Sequence, residues 1–325
     1  MTEKRLYVIG NGFDIAHGIP TTYWSFRAYL ERTDSELLEA FEKLYDIEPL
    51  DDTEPWYSEA AQERWNKSVN NELWSIFEEA MGHPNISSME DFSSNILDEL
   101  ELETGNIEIR DTMDAYWRNE FGFISELQSL VTNWISQISL LEIVPKKKEL
   151  IGNNCDYFFT FNYTNTLEDV YDIENVLHIH GGIGENADYE PIMGHCNKSE
   201  IDKHKKLSYE ADDEYDEGGA SINIAISNYL DAIYKDTASI ISFHKQYFSL
   251  LHSVNHVIII GWSAGDVDIP YLRKIKDSIN CSARWTAYFY DEVALDSIKT
   301  AFNEIGITGN YETEFLHTTD FWDKE

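Results

Sequence analysis

Short apolar runs, separated by longer segments of mixed character, are the most regular feature of this chain. Five of them have the length of a buried strand: RLYVIG at 5–10, DYFFTFN at 156–162, VLHIHG at 176–181, HVIIIGW at 256–262 and RWTAYFY at 284–290. Near-continuous apolar strands that alternate with helical segments are typical of a parallel sheet covered on both faces. The pattern therefore predicts an α/β fold with a doubly wound, Rossmann-like, mostly parallel sheet.

Two long segments between the predicted strands have the apolar spacing of helices. Residues 24–145 contain SELLEAFEKLY, and residues 182–250 contain SNYLDAIYKDTASIISFHKQYFSLLHS. We therefore predict a single α/β domain over 1–325 that carries two large helical insertions, at 24–145 and 182–250. The second insertion includes the acidic run YEADDEYDEGGA at 209–220, for which the charge pattern predicts a mobile loop or a solvated face.

Charge narrows the classes of partner. The 325 residues include 60 acidic and 24 basic ones, which gives a formal net charge of -36. Such a chain repels phosphate backbones and anionic membranes, so we expect neither a nucleic-acid nor a membrane partner. A possible exception is a protein that mimics DNA, but such a protein needs no pocket, and the strand ends described below predict one.

Cysteine usage and the N-terminus bear on metal content and compartment. The three cysteines, Cys155, Cys196 and Cys281, are far apart and form no CxxC pair, so we expect no structural zinc, no other metal and no disulfide framework. The start MTEKRLYVIGNG lacks the apolar stretch of a signal peptide, and no apolar run is long enough to span a membrane. The expected location is a reducing cytoplasm.

The first predicted strand ends in the glycine-rich sequence GNGFD. Such a turn between a strand and a helix lets the backbone approach a phosphate, with the helix N-terminus supplying N–H groups. The third glycine of a GxGxxG motif is absent, because Ile15 stands there. The alternative is a tight turn of structural origin in which Asp14 caps the following helix.

Polar residues also follow the other predicted strands. Asn162 ends the second, and it either caps the next turn or points into a ligand crevice. We expect His178 and His180 to face opposite sides of the third strand, with one a buried structural residue and His180, which Gly181 and Gly182 follow, facing the crevice. Ligands of such sheets bind beyond the carboxyl ends of the strands.

The fourth strand is followed by GWSAGDVD. Ser263 is a candidate for hydrogen bonding to a ribose or phosphate, and Asp266 either accepts from a ribose hydroxyl or caps the helix near Pro270. Together with Asp268 it forms a pair of carboxylates, but no His or Cys stands close by in the sequence, so we do not predict a metal there.

These motifs together carry a resemblance. YVIGNGFDIAHGIPTTY, followed by FNYTN, HIHG and GWSAGD, resembles the AbiH family of bacterial abortive-infection proteins. The same order is similar to the sirtuin-like fold of antiphage proteins that consume NAD. The resemblance covers the sheet, roughly residues 5–23, 156–182 and 256–290, and not the helical insertions.

The resemblance implies roles for individual residues. It implies catalytic roles for Asn162, which would position the nicotinamide ribose or the attacking water, and for His180. It implies that Gly10, Gly12 and Asp14 lie on the loop that cradles the nucleotide and that Gly261 and Ser263 hold its adenosine-side ribose. The predicted nucleotide-binding surface also includes Asn11, Phe13, His17 and Asp266. Two positions depart from the sirtuin pattern, because Thr164 stands where an acid is usual and Asp14 stands near where a small residue is usual.

The implied function is an antiphage effector that binds and hydrolyses NAD, releasing nicotinamide, with NAD as substrate or ligand. One alternative is a module that senses a nucleotide and signals to a partner without catalysis. Another is an interaction protein whose acidic surface engages a phage component. The substrate, a phage-derived trigger or partner, and homo-oligomer formation are left open by the sequence.

Overall fold

A six-stranded parallel sheet carries the four sequence motifs. A computed structural model describes residues 4–50, 53, 57–87, 113–115, 117–118 and 121–323. The strands are β1 (Arg5–Ile9), β2 (Tyr157–Thr160), β3 (Val176–His178), β4 (His256–Ile260), β5 (Arg284–Phe289) and β6 (Thr313–His317). Their order is β3-β2-β1-β4-β5-β6, and every neighbouring pair is parallel. The predicted α/β fold with a Rossmann-like sheet is confirmed, and β6 is a strand that the apolar pattern did not predict.

The register aligns the ends of the four strands that carry the motifs. Ile9 of β1 pairs with Thr160 of β2 and with Ile260 of β4, and Thr160 pairs with His178 of β3. The residues that follow these four positions therefore leave the sheet at the same edge. In a doubly wound sheet of this order, this edge is where ligands bind.

Both faces of the sheet are buried. Leu6 and Val8 contribute to one apolar cluster, together with Phe159 and Ile259 from neighbouring strands. Tyr7 and Ile9 contribute to a second cluster on the opposite face, because successive side chains of a strand alternate. This double burial explains why the strands read as nearly continuous apolar runs rather than as alternating ones.

The chain divides into two compact units. The first contains the sheet and comprises Met1–Thr22, Val131–Ile192 and Asp236–Glu325, and the second comprises Tyr23–Leu130 and Met193–Lys235. The helices described are Gly12–Ala16, Tyr23–Thr33, Ser35–Lys43, Glu59–Glu72, Phe77–Met81, Leu127–Ser136, Thr166–Tyr171, Lys198–Asp213, Glu217–Ala232, Thr237–Phe243, Lys245–Leu250, Ile269–Ser278, Glu292–Ile305 and Thr318–Asp323. In the part of the chain that the structure describes, no helix has the length and apolar character needed to cross a membrane.

The second unit joins residues from both predicted insertions. Lys235, whose side chain is fully buried, forms an ion pair of 2.6 Å with Glu78, and the hydroxyl of Tyr45 lies 3.1 Å from that of Tyr229. The single domain and the insertion bounds of 24–145 and 182–250 stay predictions. In each of these contacts, one residue comes from the segment 24–145 and the other comes from the segment 182–250.

The structure contradicts one of the two alternatives predicted for the acidic run at 209–220. It is not a mobile loop, because its first five residues complete the helix Lys198–Asp213 and its last four begin the helix Glu217–Ala232. Only residues 214–216 connect the two, and Asp216 caps the second helix by accepting from the amide of Gly219. Most of the run is exposed, as expected for the alternative of a solvated face.

Glycines allow the turns after β1 and β4 to touch. A Cβ atom on Gly10 would lie 2.5 Å from the carbonyl oxygen of Gly261, and one on Gly12 would lie 2.7 Å from the Gly261 Cα. Gly261 has a φ of +69°, and a Cβ there would collide with the backbone nitrogen of Phe13. The amide of Gly12 donates to the Gly261 carbonyl at 2.8 Å. These contacts fix the two turns against each other.

We predict that Gly261→Ala lowers the free energy of unfolding by about 2–4 kcal/mol, because it combines a strained φ with a backbone collision. Gly265→Ala, four residues further on, is the matched control, since a Cβ there meets nothing within 4 Å. Urea denaturation of both variants measures the difference. Equal stability of the two variants would contradict the role assigned to the turn contact.

Candidate functional site

Asp14 and Asn162 meet at the carboxyl edge of the sheet. Asp14 lies in the short helix Gly12–Ala16 after β1, and Asn162 lies two residues after β2. The Asp14 side chain is fully buried and Asn162 is only 7% exposed. The Asn162 amide lies close enough to Asp14 to lower the pKa of its carboxyl group. Two residues that are 148 positions apart in the sequence thus share one buried polar environment.

The two oxygens of the Asp14 carboxylate differ in their surroundings. Oδ2 accepts a hydrogen bond from the hydroxyl of Thr164, which lies 3.0 Å from the hydroxyl of Thr166. Oδ1 is buried and has no partner of normal hydrogen-bond geometry in the described structure, and the same holds for Oδ1 of Asn162. A buried acceptor without a donor costs about 1–3 kcal/mol. The site therefore offers two acceptors to a ligand that can donate.

Burial controls the ionisation of Asp14. Loss of water around the carboxylate raises its pKa from 3.8 to about 6. Hydrogen bonds from Thr164 and Thr166, the nearby Asn162 amide and the charge of His178 each lower the pKa, but together they offset only part of the effect of burial. Near neutral pH this carboxylate is mostly ionised, yet it takes up a proton under mildly acidic conditions.

His178 is bound on both ring nitrogens. Nδ1 lies 3.0 Å from the carbonyl oxygen of Asn162, and Nε2 lies 2.8 Å from Oε1 of Glu168. Both partners are acceptors, so both nitrogens are donors and the ring is an imidazolium. Burial alone would lower the pKa of His178, but the hydrogen bond and charge of Glu168 outweigh it, and the pKa is raised.

His180 lies against the other face of the sheet. Its ring packs 5.3 Å from the rings of Phe161 and Tyr271, both members of the opposite apolar cluster. The expected separation of His178 and His180 is therefore present, but strand alternation does not cause it, because residues two apart in a regular strand share a face. The cause is that β3 ends at His178 and residues 179–180 form a turn before Gly181, whose φ is +76°.

A carboxylate accompanies His180. Its Nε2 lies 3.4 Å from Oδ1 of Asp268, and Oδ2 of Asp268 accepts from the indole of Trp262 at 2.9 Å. His180 is 3% exposed and Asp268 is 7% exposed. The pair is thus a buried contact between a histidine that follows β3 and a carboxylate that follows β4, outside normal hydrogen-bond geometry. The expectation that His180 faces a solvated crevice is wrong for this structure, because protein surrounds its ring.

Hydrogen bonds to nearby backbone groups and to Thr21 hold the GNGFD loop in place. The amide of Gly10 donates to Ile260 and that of Phe13 donates to Gly10, while the side chain of Asn11 exchanges two hydrogen bonds with Thr21. Asp14 does not cap the helix, because Asn11 holds the N-cap position and Asp14 bonds to Thr164. Phosphate binding by this loop stays a prediction, and close packing already accounts for its glycines.

Phe13 lies in the helix Gly12–Ala16, and His17 is the C-cap residue of that helix. Nδ1 of His17 donates to the Phe13 carbonyl, and Nε2 faces the hydroxyl of Tyr171, each at 2.7 Å. Burial lowers the pKa of His17, so the neutral ring accepts from Tyr171. The ring of Phe13 packs 5.4 Å from Trp322. Their predicted role in nucleotide binding is untested, but both side chains already connect this helix to its neighbours.

The loop after β4 contains the candidate residues Gly261, Ser263 and Asp266. Ser263 and Asp266 are exposed, and Ala264 between them has a φ of +61°. Asp266 does not cap the following helix Ile269–Ser278, whose N-cap residue is Asp268. Binding of a ribose by Ser263, Asp266 or Gly261 remains a prediction. Within the described ranges, no group of three or more His, Cys, Asp or Glu side chains is placed to hold a metal ion.

Several polar residues of this region did not emerge as candidates from the sequence. Thr166 and Glu168 belong to the helix that follows FNYTN, and Asp268 was considered only as a metal ligand. Their signal was present in part, since each follows a polar strand end in the sequence. What the sequence lacked was any indication that Thr164 would bind Asp14, because that contact joins two loops far apart in the chain.

Comparison with known proteins identifies one family. The family model described as Bacteriophage abortive infection AbiH matches residues 6–290, which include all four motifs. Comparison with curated proteins gives no match, and neither does comparison with solved structures. The sirtuin-like part of the expected resemblance therefore rests on the motifs alone.

The raised pKa of Asp14 has a consequence for stability. Because the folded-state pKa of about 6 exceeds the ordinary value of 3.8, the stability contributed by the neutral form is complete below about pH 4 and is lost as the pH rises through 6. We predict that Asp14→Asn is more stable than the wild type at pH 7.5, by about 1–3 kcal/mol, with the difference vanishing near pH 4. Urea denaturation at several pH values measures this.

Asp266→Asn is the control for that series, because Asp266 is an exposed carboxylate at the same edge. Surface substitutions typically change stability by about 0.5 kcal/mol or less, so this variant should follow the wild type at every pH. An Asp14→Asn protein less stable than the wild type at pH 7.5 would show that the carboxylate is well compensated in the folded chain.

Proposed function

Because the chain belongs to the AbiH family of bacteriophage abortive-infection proteins, we propose that it is an antiphage effector that binds NAD and cleaves its nicotinamide–ribose bond. Loss of this cofactor would stop the metabolism of an infected cell before the phage is released. The family supports the role in abortive infection, and the chemistry is inferred from the site.

The observation that carries the proposal is the pair of buried acceptors on Asp14 and Asn162. Each has an oxygen without a hydrogen-bond partner in the described structure, and both lie beyond the ends of neighbouring parallel strands. Ribose hydroxyls and water are donors that would satisfy such oxygens. A Rossmann-like sheet that presents acceptors at this edge favours a nucleotide as the ligand.

Cleavage of the nicotinamide–ribose bond needs little covalent help. The bonding electrons leave with the ring nitrogen, so the pyridinium becomes neutral nicotinamide and positive charge develops on the ribose. Water then adds to the ribose carbon and releases a proton. Positioning of the water, stabilisation of the charge and one proton acceptor are sufficient.

The residues of this edge supply those roles in the proposed mechanism. The Asn162 amide orients the ribose or the water, and His180 accepts the proton. Asp268 lies 3.4 Å from Nε2 of His180, where a carboxylate would stabilise the protonated ring. Since His180 and Asn162 contact opposite faces of the sheet, they would approach the substrate from two sides of its ribose.

A sensor that binds a nucleotide without cleaving it is the second candidate. The observation that favours it is the burial of both proposed catalytic side chains, His180 at 3% and Asn162 at 7% exposure. Either function requires a narrow entry or a movement of the surrounding loops, but binding without turnover tolerates slow entry and release of the ligand, whereas catalysis does not.

Incubation of the purified protein with NAD, NADP and ATP, followed by chromatography, tests the two candidates. We predict that NAD is converted into equal amounts of nicotinamide and ADP-ribose. His180→Gln and Asn162→Ala should each lower turnover by about a hundred- to ten-thousandfold, because they remove the proton acceptor and the positioning group. Both should also abolish defence against phage.

His252→Gln is the matched control, because His252 is exposed and precedes β4 at the other end of the strand. It should keep full turnover. His178 does not serve as a control, since its carbonyl partner is Asn162 itself. Melting temperatures of all variants separate lost chemistry from lost folding. Binding of NAD without any product would favour the sensor.

A further inference from the structure

The charges around Asp14 do not balance when its carboxylate is ionised. Three titratable groups lie together here: Asp14 and His178, which are buried, and Glu168, which is half-buried on the helix Thr166–Tyr171 and contacts His178. The imidazolium of His178 is paired with Glu168 at 2.8 Å. The other groups that act on Asp14, namely Asn162, Thr164 and Thr166, are uncharged. With Asp14 ionised, this cluster of three titratable groups therefore carries one net negative charge.

Resting on the proposed function, we propose that Asp14 supplies the negative charge with which this site selects a ribosyl group that bears positive charge. The ligand class is an N-ribosyl pyridinium nucleotide in its oxidised form. The same charge stabilises the ribosyl cation that develops as the pyridinium leaves, which makes Asp14 a catalytic residue of the proposed reaction.

Physical reasons support this assignment over a merely structural carboxylate. Burial destabilises the ionised form, and the Thr164 hydroxyl satisfies only Oδ2. A cation placed near Oδ1 would offset the loss of water around the charge more strongly than a neutral hydrogen-bond donor would, because it adds a direct charge–charge attraction. An interaction that strengthens as positive charge concentrates on the ribose accelerates the reaction itself.

The step itself balances without any proton transfer to Asp14. The bond between the ribose carbon and the pyridinium nitrogen breaks, and its electron pair goes to that nitrogen. The oxygen of water bonds to the ribose carbon, and the released proton goes to His180. Asp14 acts only through its charge, so Asp14→Asn removes the effect while keeping the size of the side chain and an acceptor for Thr164.

The experiment measures binding and turnover separately. In a His180→Gln background, which blocks cleavage, calorimetry at pH 5.5 and pH 8 gives the dissociation constants of NAD and of reduced NADH, whose nicotinamide ring is neutral. We expect NAD to bind about fourfold more tightly at pH 8 than at pH 5.5, because a carboxyl group with a pKa of about 6 is about one-quarter ionised at pH 5.5 and almost fully ionised at pH 8. NADH should show no such change, and Asp14→Asn should remove the difference. With His180 present, Asp14→Asn should lower kcat by about a hundred- to thousandfold.

Every other outcome contradicts the role of Asp14, the proposed hydrolysis, or both. Unchanged kcat and unchanged NAD preference in Asp14→Asn, with cleavage by the wild type, would overturn the role of Asp14 and leave the proposed function standing. Charge-selective binding that Asp14→Asn removes, without any cleavage by the wild type, would support Asp14 and overturn the proposed hydrolysis. Binding of neither nucleotide would overturn both.

Discussion

The contact between the turns after β1 and β4 is the constraint on which the site depends. Gly10, Gly12 and Gly261 bring the two backbones so close that no side chain fits between them. This contact stands where the strand order reverses direction, between β1 and β4. It sets where the helix Gly12–Ala16 begins, and with it the place at which Asp14 enters the space beyond β2. A glycine-rich turn of this kind would be interpreted as a phosphate-binding loop, but its glycines are also required for the close packing of the two turns.

The second constraint is electrostatic. A carboxylate that is fully buried and only partly hydrogen-bonded lowers the stability of the folded chain near neutral pH, as the raised pKa of Asp14 shows. Such a cost is common at functional sites, where a group is held ready for a ligand. The neighbouring His178–Glu168 pair shows the contrast, because its two charges compensate each other and His178 also donates to a backbone carbonyl.

The sheet could be predicted because its strands are buried on both faces, which makes them apolar throughout. The exception was β6, the edge strand Thr313–His317, whose residues are exposed or half-buried and so leave no such signal. The acidic run at 209–220 was also only half right, since high charge indicates a solvated surface but does not distinguish an exposed helix from a loop. Local pattern reports burial more directly than it reports backbone conformation.

The site was less predictable for a different reason. The motifs lie at one edge of the sheet, as expected, because strand ends align in any parallel sheet. The partners within the site depend on contacts across the chain, such as Thr164 with Asp14, or Asp268 with His180. The two histidines show the limit most clearly. Their spacing of two residues implies a shared face, and only the turn that begins after His178 sends His180 to the other one. This turn thus determines which carboxylate lies beside each histidine. Glu168 accompanies His178, and the His178 imidazolium balances its charge. Asp268 accompanies His180 on the opposite face, so no histidine is left to pair with Asp14, and the Asp14 carboxylate carries the uncompensated charge.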